Sequence, residues 1–298
     1  MNLRPLKKAE LPPPPKSFLN LLGPSFILIG LGLGTGELIL WPYLTANYGL
    51  GIIWGALLGI TMQFFLNMEI ERYALVNGES IFVGFARLFK KIPYWFIFST
   101  VIAFSWPGFS AAAAKVLTPF GLTETKWVTV GMLALVGAIL TLGPVLYKTV
   151  EFFQKVLIFI GLPIVIFVTV YIAEMHDWVF LAKGLVGFGE GYKFIPEGLP
   201  LMSFLAAFAY SGAGGNLNLA QSFYIKEKGY GMGKYAGRIT SLITGKSEKV
   251  DIEGTTFEAT PEQVSRYKKW WKMINIEHFL IFWGIGILTI SLMAVLAY

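Results

Sequence analysis

Seven apolar runs of membrane length alternate with shorter polar connections, at roughly 21–45, 50–70, 93–117, 127–147, 153–173, 199–224 and 276–298. A bilayer core takes about 20 such residues as a helix. The pattern therefore predicts an all-α polytopic membrane protein. A polar tail covers 1–20, five spans fill 21–173, and two more fill 199–298, with a polar loop at 225–272 between them. In the second span Gly51, Gly55 and Gly59 recur every four residues, a smooth face for another helix. Ala111 to Ala114 in the third span reads the same way. Segment 79–91 is short, amphipathic and basic at its end, which suits the membrane interface. Trp106-Pro107-Gly108 predicts a kink, because proline removes a helix hydrogen bond.

Two spans break their own pattern. Gly30-Leu-Gly-Leu-Gly-Thr-Gly-Glu37 sits inside the first, and Ser211-Gly-Ala-Gly-Gly-Asn-Leu-Asn218 inside the sixth. Glycine is a poor helix former, and a carboxylate at mid-bilayer is costly. Such backbone is tolerated where protein or a water-filled cavity surrounds it. The breaks lie five spans apart, where an inverted five-span repeat places equivalent helices, and paired Gly-interrupted spans point to a transporter's mid-membrane site. Gly34, Thr35, Gly36, Glu37, Ala213, Gly214, Gly215, Asn216 and Asn218 are the candidate substrate- or ion-binding residues, with Glu37 and Asn216 as candidate metal ligands. Glu37 can be read as a cation ligand, as a proton carrier, or as a cap for amides of the broken helix. The asparagines can be neutral ligands or partners for unwound backbone.

Composition agrees with the spans: 55% of residues are hydrophobic and 14% charged, where a soluble domain has about 25% charged. Mean hydropathy is +0.62. The net charge of +6 comes from loops, which argues against nucleic acid as a partner. With the amino terminus inside, 20 of the 24 Lys and Arg fall on the cytoplasmic side, leaving Lys115, Lys126, Lys183 and Lys193 outside. The tail, with Arg4, Lys7, Lys8 and Pro12 to Pro15, lacks the features of a signal peptide. The absence of Cys excludes disulfides and thiolate metal sites.

Other motifs carry less. Gly30-Leu-Gly-Leu-Gly-Thr-Gly lacks dinucleotide-fingerprint spacing, and Thr240 stands where a phosphate loop ending at Thr244-Gly-Lys-Ser247 needs glycine. His176 and His278 sit near opposite span ends and read as interfacial. Thr260, Pro261 and Gln263 start a helix, and its Trp270 and Trp271 beside Lys268, Lys269 and Lys272 have the makeup of a membrane-surface anchor. No nucleophile–base constellation is visible, so an enzyme is not expected.

The chain resembles the Nramp family of proton-coupled divalent-metal transporters, within the amino acid–polyamine–cation superfamily. The likeness rests on Gly23-Pro24, the Gly-Thr-Gly-Glu break and Tyr48-Gly49-Leu50. It continues through Glu71-Arg-Tyr-Ala-Leu-Val-Asn-Gly78 and Asn216-Leu-Asn-Leu-Ala-Gln-Ser222. It implies an inverted-repeat fold with alternating access around two broken helices, in the cell membrane with the amino terminus cytoplasmic. The family's Asp-Pro-Gly-Asn is replaced by Gly34, Thr35, Gly36 and Glu37, and its Met-Pro-His aligns with Ala213, Gly214 and Gly215. The metal-liganding aspartate and the soft thioether are absent, so the resemblance implies a harder cargo of the Mg²⁺ or Mn²⁺ kind. A small organic solute on the same fold is the alternative, and a non-transporting receptor or scaffold the second. No permanently bound cofactor is implied. Two spans of a second repeat imply that later spans come from a missing carboxyl-terminal part or a second chain.

Overall fold

In a computed structural model of the chain, residues 3–34, 36–105, 108–241, 243–246 and 248–298 are described. The sites assigned to Thr35 and the kink assigned to Trp106-Pro107 lie outside the described residues. The only strands among them are β1 (Lys7–Lys8) and β2 (Thr255–Thr256), two residues each, paired in parallel. Everything else that is regular is helical, so the molecule is all-α.

The first span is α1 (Pro24–Gly32), opened by a proline at its first position, and α2 (Trp41–Tyr48), preceded by a π-helical turn at Gly36–Leu40. The two halves bend by 42°. The second span is α3 (Trp54–Asn77), ended by Gly78 in the left-handed conformation at φ 60°, which glycine adopts without a Cβ penalty. Then follow α4 (Ile81–Leu88), α5 (Ile92–Phe104), α6 (Gly108–Val116), α7 (Thr125–Leu142), α8 (Leu146–Ile172) and α9 (Met175–Gly184). The sixth span is split into α10 (Leu201–Ala209) and α11 (Asn216–Lys228). Next come α12 (Pro261–His278), a π-helical turn at Phe279–Ile285, and α13 (Gly286–Ala297). Five described helical stretches are long and apolar enough to cross a bilayer, and six if α1 and α2 count as one. Neither half of the split sixth span is long enough alone.

Packing is uneven. The first, second, sixth and seventh spans meet in the interior: α3 lies on α11, α13 on α2, and α1 on both α8 and α11. One core joins Trp41, Leu44, Ile52, Ile53, Phe204 and Ile290, and another joins Phe26, Ile29, Ile60 and Phe282. The glycine face of the second span is used against the sixth. A Cβ at Gly55 would meet the Phe204 ring at 2.6 Å, and one at Gly59 the Phe208 carbonyl at 2.6 Å. By contrast α5 and α7 bury no residue. Phe98, Leu135, Phe159 and Phe167 are exposed along the peripheral helices. An apolar surface of this extent needs lipid or further protein against it. Of the alanine run, Ala114 is the one fully buried.

The helix expected to open at Thr260 and Pro261 is present, and it runs on through the seventh span as one helical stretch of 37 residues to Ala297. Its first turns are too polar for hydropathy to register, although the Thr260 hydroxyl accepts from the Gln263 amide as a helix cap should. Trp270 is no surface anchor. It is 3% exposed, and its indole N–H donates to the Pro12 carbonyl at 2.7 Å. The tail folds over it: Leu11 is buried, and its amide donates to Gln263 Oε1 at 2.8 Å. Arg4, Lys7 and Lys8 pair with Glu253, Asp251 and Glu258. Segment 79–91 holds the expected short amphipathic helix, α4, whose Arg87 clamps the buried carboxylate of Glu79 at 2.7 and 2.8 Å. That contact raises the Arg87 guanidinium above its ordinary pKa.

Candidate functional site

The two breaks face each other. The second one runs through Gly212, Gly214 and Gly215 at φ 120°, 72° and 56°, values that L side chains rarely adopt. Space is as tight as conformation: a Cβ on Gly32 would meet the Gly212 carbonyl at 2.7 Å. Glycines on both spans thus allow backbone-to-backbone approach in the middle of the bundle.

Unwinding leaves amides without helical partners, and two side chains take them up. Glu37, fully buried, accepts from the Gly212 amide through Oε1 at 2.8 Å, and Oε2 lies 3.5 Å from the Gly34 amide. The carboxylate therefore touches backbone of both breaks. Gln63, on α3, accepts from the Ala213 and Gly214 amides at 2.9 and 3.3 Å and donates to the Ala209 carbonyl at 2.9 Å. Trp41 closes one side, its indole donating to Ser211 Oγ at 2.9 Å.

Of the candidate residues, Gly34, Gly36, Glu37, Ala213, Gly214 and Gly215 lie in or between the two breaks. Asn216 opens α11 but turns away, donating to Ser99 Oγ and Thr100 Oγ1, both at 2.9 Å. There it lines an apolar groove of about 510 Å³ with Phe96, Phe104, Leu217 and Phe223. Asn218 is buried further along α11, with no partner for its carbonyl oxygen. The cap contact weighed for Glu37 is made.

A second polar cluster is absent from the sequence reading. Glu71 on α3, Glu277 and His278 on α12, and Ser25 on α1 are all 2% exposed or less. His278, expected at the interface, is instead wholly buried. Its Nδ1 lies 3.0 Å from Glu71 Oε1 and 2.8 Å from Ser25 Oγ, and its ring stacks on Phe282 at 4.7 Å between centroids. Ser25 Oγ donates to Glu277 Oε2, and Gln221 Nε2 donates to Glu71 Oε1 at 2.6 Å. Polar residues at Gln63, Asn67 and Glu71, spaced four apart within an apolar span, were the available signal. They form a file down one face of α3 from the helix break to the histidine. His278 missed its place because its partners are 207 and 253 residues away in the chain.

Among the described residues no group of three His, Cys, Asp or Glu is arranged to hold a metal ion. No protein-family model, no curated protein and no solved structure gives a significant match to the chain.

Proposed function

We propose that the chain is a secondary-active membrane transporter of Nramp-like, inverted-repeat architecture. Its site lies between the broken first and sixth spans, and it works by alternating access with proton coupling. One observation carries the reading: a single buried carboxylate, Glu37, bonds the Gly212 amide across the two breaks at 2.8 Å. Irregular backbone at mid-membrane depth belongs where a solute passes. The packing supports the repeat. If the sixth span is the counterpart of the first and the seventh of the second, contact of α3 with α11 implies contact of the seventh span with the first. The packing of α13 on α2 and of the Phe279–Ile285 turn on α1 meets that requirement. The Lys and Arg bias supports a cytoplasmic amino terminus.

The cargo proposed is a divalent cation of the Mn²⁺ or Mg²⁺ class, met by Glu37 and by carbonyls freed near Gly34 and Ala213. Proteoliposomes holding the protein are expected to take up Mn²⁺ or Mg²⁺, and Glu37→Ala to abolish uptake. Undiminished uptake in Glu37→Ala sinks the role of Glu37. A second reading, a small organic solute on the same fold, is favoured by the apolar groove that has Asn216 and Thr100 in its lining. A thermal-shift response to amino or organic acids but to no metal selects it.

A further inference from the structure

We propose that a monovalent cation of sodium type binds inside the bundle between α3 and α11. Its ligands are Asn67 Oδ1 and Glu71 Oε2 from the first helix and Asn218 Oδ1 and Gln221 Oε1 from the second. All four side chains are 2% exposed or less, and each of these oxygens is buried without a hydrogen-bond partner. Buried polar atoms are rarely left so, and each unpaired one is costly. Asn67 Nδ2 is unpaired as well, but the four acceptors, on two helices that pack together, are the set that a bound cation would satisfy.

The placement fits one site. Asn67 and Glu71 are one turn apart on one face of α3, and Asn218 and Gln221 one turn apart on α11. The two faces are locked together by the Gln221 Nε2 to Glu71 Oε1 bond at 2.6 Å. That bond also fixes the amide of Gln221, so its oxygen is the free end. Glu71 divides its labour likewise. Oε1 is taken by Gln221 and His278, while Oε2 has no protein partner.

Charge selects the ion. One carboxylate and three neutral amide oxygens carry a single negative charge, matched by one positive charge, and all-oxygen donors suit a hard cation. A divalent ion would leave an uncompensated charge in the protein interior, which is costly. The two lysines of α11 are engaged elsewhere. Lys226, the buried lysine of α11, lies over the Phe223 ring, and Lys228 is paired with Glu151 at 2.6 Å. The other titratable groups of the cluster are His278, on Glu71, and Glu277, on Ser25 and the Gly23 amide. Whether that ion drives a solute rests on the transport reading; the site itself does not.

The test is ²²Na⁺ retention and thermal stability of the purified full chain, in NaCl, KCl or choline chloride at one ionic strength and pH. Wild type is expected to retain ²²Na⁺ saturably and to melt higher in NaCl than in choline chloride. Asn67→Ala and Glu71→Gln should each weaken retention tenfold or more, and the exposed Glu69→Gln should leave it unchanged. Asn218→Ala, should Glu71→Gln fail to fold, is expected to weaken it similarly. Three results overturn the proposal: no ²²Na⁺ retained by wild type, stabilisation by divalent ions or by pH alone, or retention indifferent to Asn67→Ala. Na⁺ retention without solute uptake keeps this site and removes the transport reading. Uptake without Na⁺ retention does the reverse.

Discussion

Replacing Gln63 by leucine tests whether the break in the sixth span is held from the second. The side chain volume is nearly kept, but both hydrogen-bonding ends are lost. The Ala213 and Gly214 amides lose an acceptor at 2.9 and 3.3 Å, and the Ala209 carbonyl loses a donor at 2.9 Å. A buried group left unpaired costs about 1–3 kcal/mol. The Ala213 and Ala209 bonds dominate because the Gly214 contact is long, so the expected loss is about 3 kcal/mol. Local opening should then become about a hundredfold more frequent, at about 1.4 kcal/mol per decade. Amide hydrogen exchange resolved at 209–214 in detergent or nanodiscs reads this directly, beside 225–228 in α11 as an internal reference. Gln63→Glu sharpens the test, since it keeps an acceptor for the two amides while losing the donor to Ala209. The Ala213 amide should stay better protected in it than in Gln63→Leu. Exchange at 212–214 in Gln63→Leu within threefold of wild type refutes the cap.

Gly59→Val places a branched side chain against the Phe208 carbonyl, which a Cβ would already meet at 2.6 Å. It should destabilise by about 1–3 kcal/mol through overpacking, seen as a lower melting temperature, whereas Gly131→Ala, with open space around it, should not. Trp270→Ala removes a buried indole and its bond to Pro12, a loss of about 3–5 kcal/mol, and limited proteolysis should then cut within 3–16 much faster. The tail should also be released by acid rather than base. The Arg4 amide and guanidinium hold Glu253, and Lys8 holds Glu258, below the usual carboxylate range. A carboxylate depressed in the folded state stabilises above its unfolded pKa and loses that contribution as pH falls. Exchange at Lys7 and Ala9 should therefore rise below about pH 4, and release on raising the pH from neutral would contradict it.

What was legible in the sequence was local. Glycines at 30–36 and 212–215 announced both breaks because no helix interior tolerates such density. The Gly51, Gly55 and Gly59 repeat announced a close helix contact, and α10 makes it at Gly55 and Gly59. What was illegible was pairing across the fold. Gln63 is one amide in an apolar span until the Ala213 backbone is beside it. Trp270 has an interfacial composition around it, yet a tail residue more than 250 positions away decides its burial. His278 looked like a span-end residue because it stands where the apolar run begins, and its burial is decided by Ser25 and Glu71 on two other helices.

The geometry joins the helix breaks to the buried polar cluster. Glu37 cannot be a free ligand and a cap at once, because Oε1 already accepts the Gly212 amide and Oε2 faces the Gly34 amide. A hydrogen bond to a charged group contributes about 1.5–3 kcal/mol, so a cation that draws the carboxylate away must exceed that. Releasing Gly212 would also free the stretch that Gln63 grips next door at Ala213. Gln63 continues through Asn67 to Glu71 along one face of α3, so a change at the break meets the buried histidine cluster two turns away on the same rigid helix. A solute bound at the break and an ion bound at Glu71 would therefore act on one element. Their coupling would be reciprocal, each altering the affinity for the other by the same factor.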